Sequence, residues 1–393
     1  MTHYRYLIVG GGMTAAAAIS GIRQADPEGS IGLVSRESHP PYNRPPLSKG
    51  LWKGKPIEKI FRETNQPGVE LHLERTATSL DPVAKTVIDD REASYTYDKL
   101  LLATGGTPRR LPFGEGELIY YRTLDDYYRL REQVDGRRRF AVIGGGFIGS
   151  EIAAALAGAN QDVVMVFPDD GIGGAIFPAD LSQFLNDYYR GKGVDVRPGE
   201  KIAWIERRDH QLVLQNQEEE EIAAEAIVAG IGILPNTELA QSAGLAVDNG
   251  IIVDEYLRAS LPDIYAAGDA ANFFNPLLGK RLRVEHEDNA NTMGKLAGLN
   301  MASSQPQPYH HLPFFYSDLF DLGYEAVGEL SSKLETFADW QEKYQKGVIY
   351  YLDQGRVRGV LLWNVWEQVD AARKLMAELG PFTPENLKGR LPA

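Results

Sequence analysis

Two short glycine-rich segments carry the most readable chemistry in this chain. Gly10-Gly11-Gly12-Met13-Thr14-Ala15 follows the apolar run Tyr6-Leu7-Ile8-Val9, and Gly144-Gly145-Gly146-Phe147-Ile148-Gly149 follows Phe140-Ala141-Val142-Ile143. An alanine-rich stretch of helical character comes after each. A strand, a glycine turn and a helix in that order make a phosphate cradle. The first glycine forms the tight turn, the second lets a pyrophosphate approach the backbone, and the third position allows helix and strand to pack closely. The start of the helix then offers unpaired N–H groups and the positive end of its dipole. A lone G-x-G-x-x-G pattern is a weak signal, but two in the same context indicate two dinucleotide sites.

Acids at the expected offsets extend the pattern. Asp169 lies twenty residues beyond Gly149, where a carboxylate can accept from a ribose 2′-hydroxyl and repel a 2′-phosphate. That favours NADH over NADPH at the second cradle. The alternative is that Asp169 belongs only to the turn Pro168-Asp169-Asp170-Gly171. In the first copy Glu37 stands twenty-two residues beyond Ala15, directly after Arg36. Either could face the adenosine ribose, and Glu37 is preferred.

The elements that must hold these groups can be read from apolar patterning. Residues 31–35 and 163–167 read as the second strands of two βαβ units. Residues 100–105, 226–230 and 264–269 are apolar strands that end in glycine. Sharp turns at the C-terminal ends of parallel strands are where open α/β sheets bind ligands. Ala103, Thr104, Gly105, Gly268 and Asp269 fall at such ends. Glu218 to Glu221 reads as a hairpin tip between Leu212-Val213-Leu214 and Ile227-Val228. Residues 303–308 read as a linker. Beyond it, strands over 347–352 and 358–363 and a helix over 370–376 predict a small α+β C-terminal domain.

Composition removes several classes of function. A length of 393 residues predicts two to four domains, at about 100–200 residues each. The net charge of −13 argues against a general nucleic-acid partner, because phosphate binding needs a basic face. Arg137-Arg138-Arg139 reads as the solvated approach to a strand. The chain has no cysteine, which excludes disulfides, thiolate metal sites, cysteine-ligated iron–sulfur clusters and a redox-active cysteine pair. Any electron relay must therefore be a bound cofactor. No apolar run reaches the ~18 residues of a membrane span, and the opening residues lead straight into a strand. The expectation is a cytoplasmic protein.

Taken together, these motifs resemble the FAD-dependent pyridine-nucleotide oxidoreductases of the ferredoxin-reductase type, the family that includes apoptosis-inducing factor. The resemblance spans nearly the whole chain. It is carried by residues 41–49, 144–151, 167–169 and 232–236, by Gly268-Asp269 and Val284-Glu285-His286, and by residues 316–318, 323–326 and 362–364. It implies an α/β fold: two Rossmann-like dinucleotide-binding domains, for FAD and NADH, plus a small α+β C-terminal domain. Their expected extents are 1–121 with 245–303 for FAD, 122–244 for NADH, and 304–393 for the last domain.

The resemblance also implies roles. Arg44 and Arg122 would serve the FAD phosphates or ribityl region, Asp269 the ribityl hydroxyls, and Ala77 the adenine through its backbone. Lys49 would lie beside the reactive nitrogen of the flavin and pair with Glu151, the cation stabilising charge on the reduced ring and the carboxylate offsetting its burial. The alternative is a buried ion pair that only fixes a domain interface. Glu285, His286 and Tyr316 would wall the nicotinamide side of the flavin. Glu325 and the backbone of Gly232 would receive the nicotinamide end of NADH. Tyr316 stands in place of the family's usual Trp, Arg36 where an acid is common, and Ala175 where apoptosis-inducing factor uses a lysine on the dinucleotide.

Two functions follow from the resemblance. The first is an NADH-dependent reductase passing electrons singly to a ferredoxin or another external acceptor. The second is a redox-sensing flavoprotein that holds NAD as a long-lived charge-transfer complex and changes shape or forms a homodimer.

Overall fold

The computed structural model describes residues 1–134, 136–209 and 211–392, which divide into two compact units. The first comprises Met1–Arg44, Pro56–Thr107 and Leu234–Pro313. Its sheet runs in the order Val69–His72, Ile31–Val34, Thr2–Val9, Ser94–Leu102, with Ile264–Ala266 also paired to Ser94–Leu102, all parallel. An antiparallel hairpin of Ala77–Asp81 and Thr86–Asp89 joins the N-terminal part of Ser94–Leu102. Ile31–Val34 is buried at every residue, as a strand covered on both faces should be. Helices Met13–Ala25 and Glu287–Ala302 cross so closely that a Cβ on Gly298 would lie 2.0 Å from the Ala18 carbonyl oxygen. One on Gly294 would lie 2.4 Å from the carbonyl oxygen of Thr14. This crossing fixes the first cradle helix.

The second unit comprises Pro45–Lys55, Pro108–Ile233 and Phe314–Ala393. Its parallel sheet is ordered Val194–Pro198, Asp162–Phe167, Arg139–Ile143, Ala226–Ala229, Leu118–Tyr120. The second cradle helix, Phe147–Gly158, follows the central strand. A three-stranded antiparallel sheet of Ile202–Arg208, Gln211–Asn216 and Glu221–Ala224 packs on that parallel sheet. Here one expectation is corrected: the acidic tip joins Gln211–Asn216 to Glu221–Ala224, not to the strand that holds Ile227 and Val228. Buried Ile222 and Ala224 make this short run a strand of its own.

The C-terminal part is a five-stranded antiparallel sheet ordered Phe314–Leu319, Leu322–Gly328, Arg356–Trp363, Lys346–Asp353, Glu335–Glu342, with helix Val369–Ala377 packed on it. The α+β reading of this region matches the structure. Among the described residues, no helix is long and apolar enough to cross a membrane.

Candidate active site

Both glycine turns have the form that a dinucleotide phosphate needs. Gly10 has φ +118° and Gly144 has φ +116°, and a Cβ on either would strike a carbonyl oxygen, that of Ala103 at 2.0 Å or Gly230 at 2.4 Å. At the third position of the second copy, a Cβ on Gly149 would lie 1.9 Å from the Gly144 carbonyl oxygen. Ala15, its counterpart, is fully buried. The middle glycines differ: a Cβ on Gly146 would meet nothing within 4 Å, and one on Gly12 would meet only an Arg44 nitrogen at 3.9 Å. Each caps its helix without a side-chain hydrogen bond, and neither helix has an acid in its first turn. Packing does not require glycine at these middle positions, yet both leave room beside uncapped N–H groups. A pyrophosphate fits both cradles.

Around the first cradle, Gly268 has φ +74° and a Cβ there would lie 2.2 Å from Thr14 Oγ1, so the turn carrying Asp269 abuts the cradle helix. Glu37 accepts from the Tyr42 hydroxyl at 2.5 Å and from the Arg44 guanidinium. Arg44 also lies over the Tyr42 ring, 5.2 Å from its centroid. Burial works against the Arg44 charge, but Tyr42, Glu37 and Asp269 together hold its pKa above the ordinary value. Glu37 therefore orients a cation. Arg36 is exposed. Thr104 and Asn236 lock the strand end, the Thr104 hydroxyl donating to the Asn236 carbonyl at 2.7 Å and Asn236 Nδ2 to the Thr104 carbonyl at 2.8 Å. Ala77 opens the strand Ala77–Asp81. Glu285 pairs with Arg283 at 2.7 Å, and His286 is the N-cap residue of Glu287–Ala302.

Sequence reasoning missed Arg62, whose Nε donates to Asn43 Oδ1 at 2.8 Å and whose Nη1 is 3.5 Å from the Met13 carbonyl, at the first turn of the cradle helix. No spacing rule points to it.

Lys49, Arg122 and Tyr316 belong to the second unit. Arg122 directly precedes the capping box of Thr123 and Asp126 that starts helix Leu124–Arg131. Lys49 Nζ lies 2.5 Å from Glu151 Oε1 and 5.4 Å from the centroid of the Tyr316 ring. Glu151 sits in the first turns of the second cradle helix, its side chain 4% exposed.

A cleft opens on the second cradle, lined by Gly145, Gly146, Phe147, Asp169, residues 172–177, Leu319 and Tyr324 among others. Asp169 is exposed and, among the described residues, is the one charged residue of that lining. Ile148, beside Phe147, is 36% exposed. Of loop 172–177 only Ala175 was singled out, through the resemblance, although the glycines at 171, 173 and 174 mark the whole loop. Gly173 N–H donates to the Gly145 carbonyl at 2.8 Å, and the Tyr351 hydroxyl to the Ile176 carbonyl at 2.8 Å. Phe177 packs edge-on against Tyr324 and Trp363, whose rings stack on each other. Gly232 has φ +87° and accepts from the Arg109 N–H at 2.9 Å. Glu325 Oε2 is buried without a hydrogen-bond partner, and burial pushes its carboxyl above the ordinary range. An orphaned acceptor of this kind suits the carboxamide donors of a nicotinamide.

Two phosphate cradles on separate parallel sheets, with a buried Lys–Glu pair on the helix of the second, define a dinucleotide-dependent oxidoreductase that works with FAD and NAD(H). The chain belongs to the pyridine nucleotide-disulphide oxidoreductase family, which it matches over residues 4–294, and residues 338–378 match the C-terminal family of mitochondrion-associated apoptosis-inducing factor. It is 36% identical to apoptosis-inducing factor 1, mitochondrial, of Dictyostelium discoideum, over 95% of this chain and 78% of that protein. It is also 36% identical to the ferredoxin reductase subunit of 5,5'-dehydrodivanillate O-demethylase from Sphingobium sp., over 91% of this chain and 89% of that one. The crystal structure of the covalent putidaredoxin reductase–putidaredoxin complex superposes with a TM-score of 0.91 at 30% identity, covering 98% of this chain and 96% of the other. The absence of cysteine separates this chain from the disulfide chemistry in the family's name.

Proposed function

We propose that this chain is an NADH-dependent reductase that delivers electrons one at a time to a ferredoxin or a comparable small redox protein. When bound, the cofactors supply hydride transfer from a reduced nicotinamide to a flavin ring, followed by electron release to the acceptor. The observation that carries the reading is the buried Lys49–Glu151 pair, formed at the start of the second cradle helix with Tyr316 beside the cation.

The residues of the chain bind, orient and stabilise. Residues 1–121 with 245–303 would hold FAD, through Gly10, Gly12, Met13, Thr14 and Ala15 at the pyrophosphate and through Arg44 and Asp269 further along. Residues 122–244 would hold NADH, through Gly144 to Gly149 at the pyrophosphate and Asp169 at the ribose. Residues 304–393 would add Tyr316 and Glu325. Lys49 would present its ammonium to charge that builds on the ring, and Glu151 would hold that ammonium in place. Ferredoxin-reductase relatives and the putidaredoxin complex support the acceptor class. We place the protein in the cytoplasm, a reading from the sequence that fractionation of the native host tests.

A second reading is favoured by the match over residues 338–378: a flavoprotein that holds the oxidised nucleotide after reduction and signals by shape or dimerisation. Anaerobic titration of the purified protein with NADH, followed by absorbance, tests both. Bleaching of a flavin spectrum with rapid recovery on adding a ferredoxin supports the reductase. A persistent long-wavelength band with slow recovery by every acceptor supports the sensor, and a colourless protein that cannot be reconstituted with FAD overturns both.

A further inference from the structure

Glu151 is held by more than Lys49. Its Oε1 takes Lys49 Nζ at 2.5 Å and the Ser317 hydroxyl at 2.5 Å, while its Oε2 takes the Ser48 hydroxyl at 2.5 Å. Ser317 is 0% exposed and Ser48 7%. A hydroxyl has one proton to give, and both serines give it to this carboxylate. Among the described residues, the one other acceptor near the Ser48 hydroxyl, the Pro45 carbonyl, is 3.5 Å away. The three donors come from separate places in the chain: the loop at 48–49, the strand Phe314–Leu319, and the lysine side chain. With both oxygens engaged, the plane of the carboxylate is fixed, and so is the point from which it holds the ammonium.

We propose that Ser48 and Ser317 are positioning residues of the redox reaction, acting on Lys49 through Glu151. The proposal rests on the reading that Lys49 stands beside the flavin. A buried carboxylate whose charge is shared among three donors neutralises the lysine less than one for which the lysine is the sole partner. The ammonium then keeps more of its field for charge on a neighbouring ring. Without Ser317 the Oε1 oxygen leans on Lys49, with Ser48 still held by Oε2, drawing the cation away and screening it.

The test uses the FAD-loaded protein. Single-turnover reduction by NADH and the redox equilibrium of the bound flavin against a reference dye are measured for wild type, Ser317→Ala, Ser317→Cys, Ser48→Ala, Lys49→Met and the Ser317→Ala/Lys49→Met double variant. Ser317→Ala is expected to slow reduction about tenfold, as fits loss of a hydrogen bond to a charged group. It should also shift the dye equilibrium about tenfold towards oxidised flavin, which is ~30 mV for a two-electron couple. KM for NADH should change little. Cys fills the volume of Ser but donates weakly, so Ser317→Cys should behave like Ala. Ser317→Ala should add nothing in the Lys49→Met background.

If Ser317→Ala matches wild type while Lys49→Met is slow, the inference fails and the functional reading stands. If Lys49→Met itself has no effect, the reading fails. Wild-type behaviour of Ser317→Cys, or an equal Ser317→Ala effect in both backgrounds, also overturns the proposal. Should Ser317→Ala not fold, Ser48→Ala on the opposite oxygen carries the same cycle.

Discussion

Tyr316 and Glu325 are direct partners in the antiparallel pairing of Phe314–Leu319 with Leu322–Gly328, so their side chains leave the sheet on the same face. One is a flat ring. The other has a buried carboxylate oxygen with no partner. An aromatic surface beside an unused acceptor suits a flat ligand with an amide, and the nicotinamide end of NADH is one. Glu325→Gln replaces an acceptor by a donor, and KM for NADH should rise about tenfold with a smaller change in kcat. Tyr316→Ala should raise KM in the same direction, and Tyr316→Trp should lower it. Steady-state kinetics with NADH decide the matter, and unchanged KM values in all three variants would remove both residues from the site.

The same glutamate should leave a mark on stability against pH. Burial, the largest cause, raises the Glu325 carboxyl above its ordinary 4.5, the backbone of Glu367 lowers it in part and the Glu367 charge raises it further. An acid whose pKa is higher in the folded than in the unfolded state contributes stability that is fully present below the unfolded value. That contribution is lost as pH rises through the folded value. Glu325→Gln cannot ionise and loses nothing. Its Tm should equal that of wild type at about pH 4 and exceed it at about pH 8. A Tm difference that does not vary across this range, measured by calorimetry on the apoprotein, would show that the side chain is not desolvated as described.

The middle and third positions of a glycine cradle can be separated by experiment. Gly146 has room for a methyl group, whereas a Cβ on Gly149 would lie 1.9 Å from a carbonyl oxygen. Gly146→Ala should therefore fold with nearly wild-type Tm and lose NADH affinity by tenfold or more, because the methyl would stand where a phosphate approaches. Gly149→Ala should lower Tm, at a cost of about 1–3 kcal/mol as overpacking commonly does. Equal loss of Tm in both variants would contradict the geometry.

How far the sequence revealed this site follows from where each interaction comes from. The cradles were legible because their spacing is imposed by one strand, one turn and one helix in succession, and the structure repeats that order at Gly10 and Gly144. The Lys49–Glu151 pair was reached only through family resemblance, since nothing local links a loop lysine to a helix glutamate. Ser48 and Glu151 are 103 residues apart, and Ser317 and Glu151 are 166 apart, so their meeting is a product of tertiary packing. Arg62 was invisible for the same reason. The hairpin tip was misplaced because Ile222 and Ala224, set among glutamates, offer too short a pattern to read as a strand.

Selectivity between the two nicotinamide cofactors should depend on the charge of the second cleft. Among the described residues Asp169 is the single charged one of its lining, and Ala175, in the same wall, brings no cation. A 2′-phosphate placed near Asp169 would meet a like charge and no cation among the described residues that line the cleft. Asp169 is exposed, so solvent weakens the repulsion, and Asp169→Ala alone should raise kcat/KM for NADPH only about tenfold while lowering that for NADH. Ala175→Arg in the same variant supplies a fork of donors matched to phosphate, and should raise the NADPH value by about another tenfold. The backbone of loop 172–177 should tolerate the change, because Ala175 contributes its carbonyl, bonded by the Ser332 N–H at 3.1 Å, and not its methyl to that contact. The ratio of kcat/KM for NADPH over NADH is the measurement. A ratio that stays at the wild-type level in the double variant would mean that the ribose lies elsewhere and that Asp169 is a turn residue only.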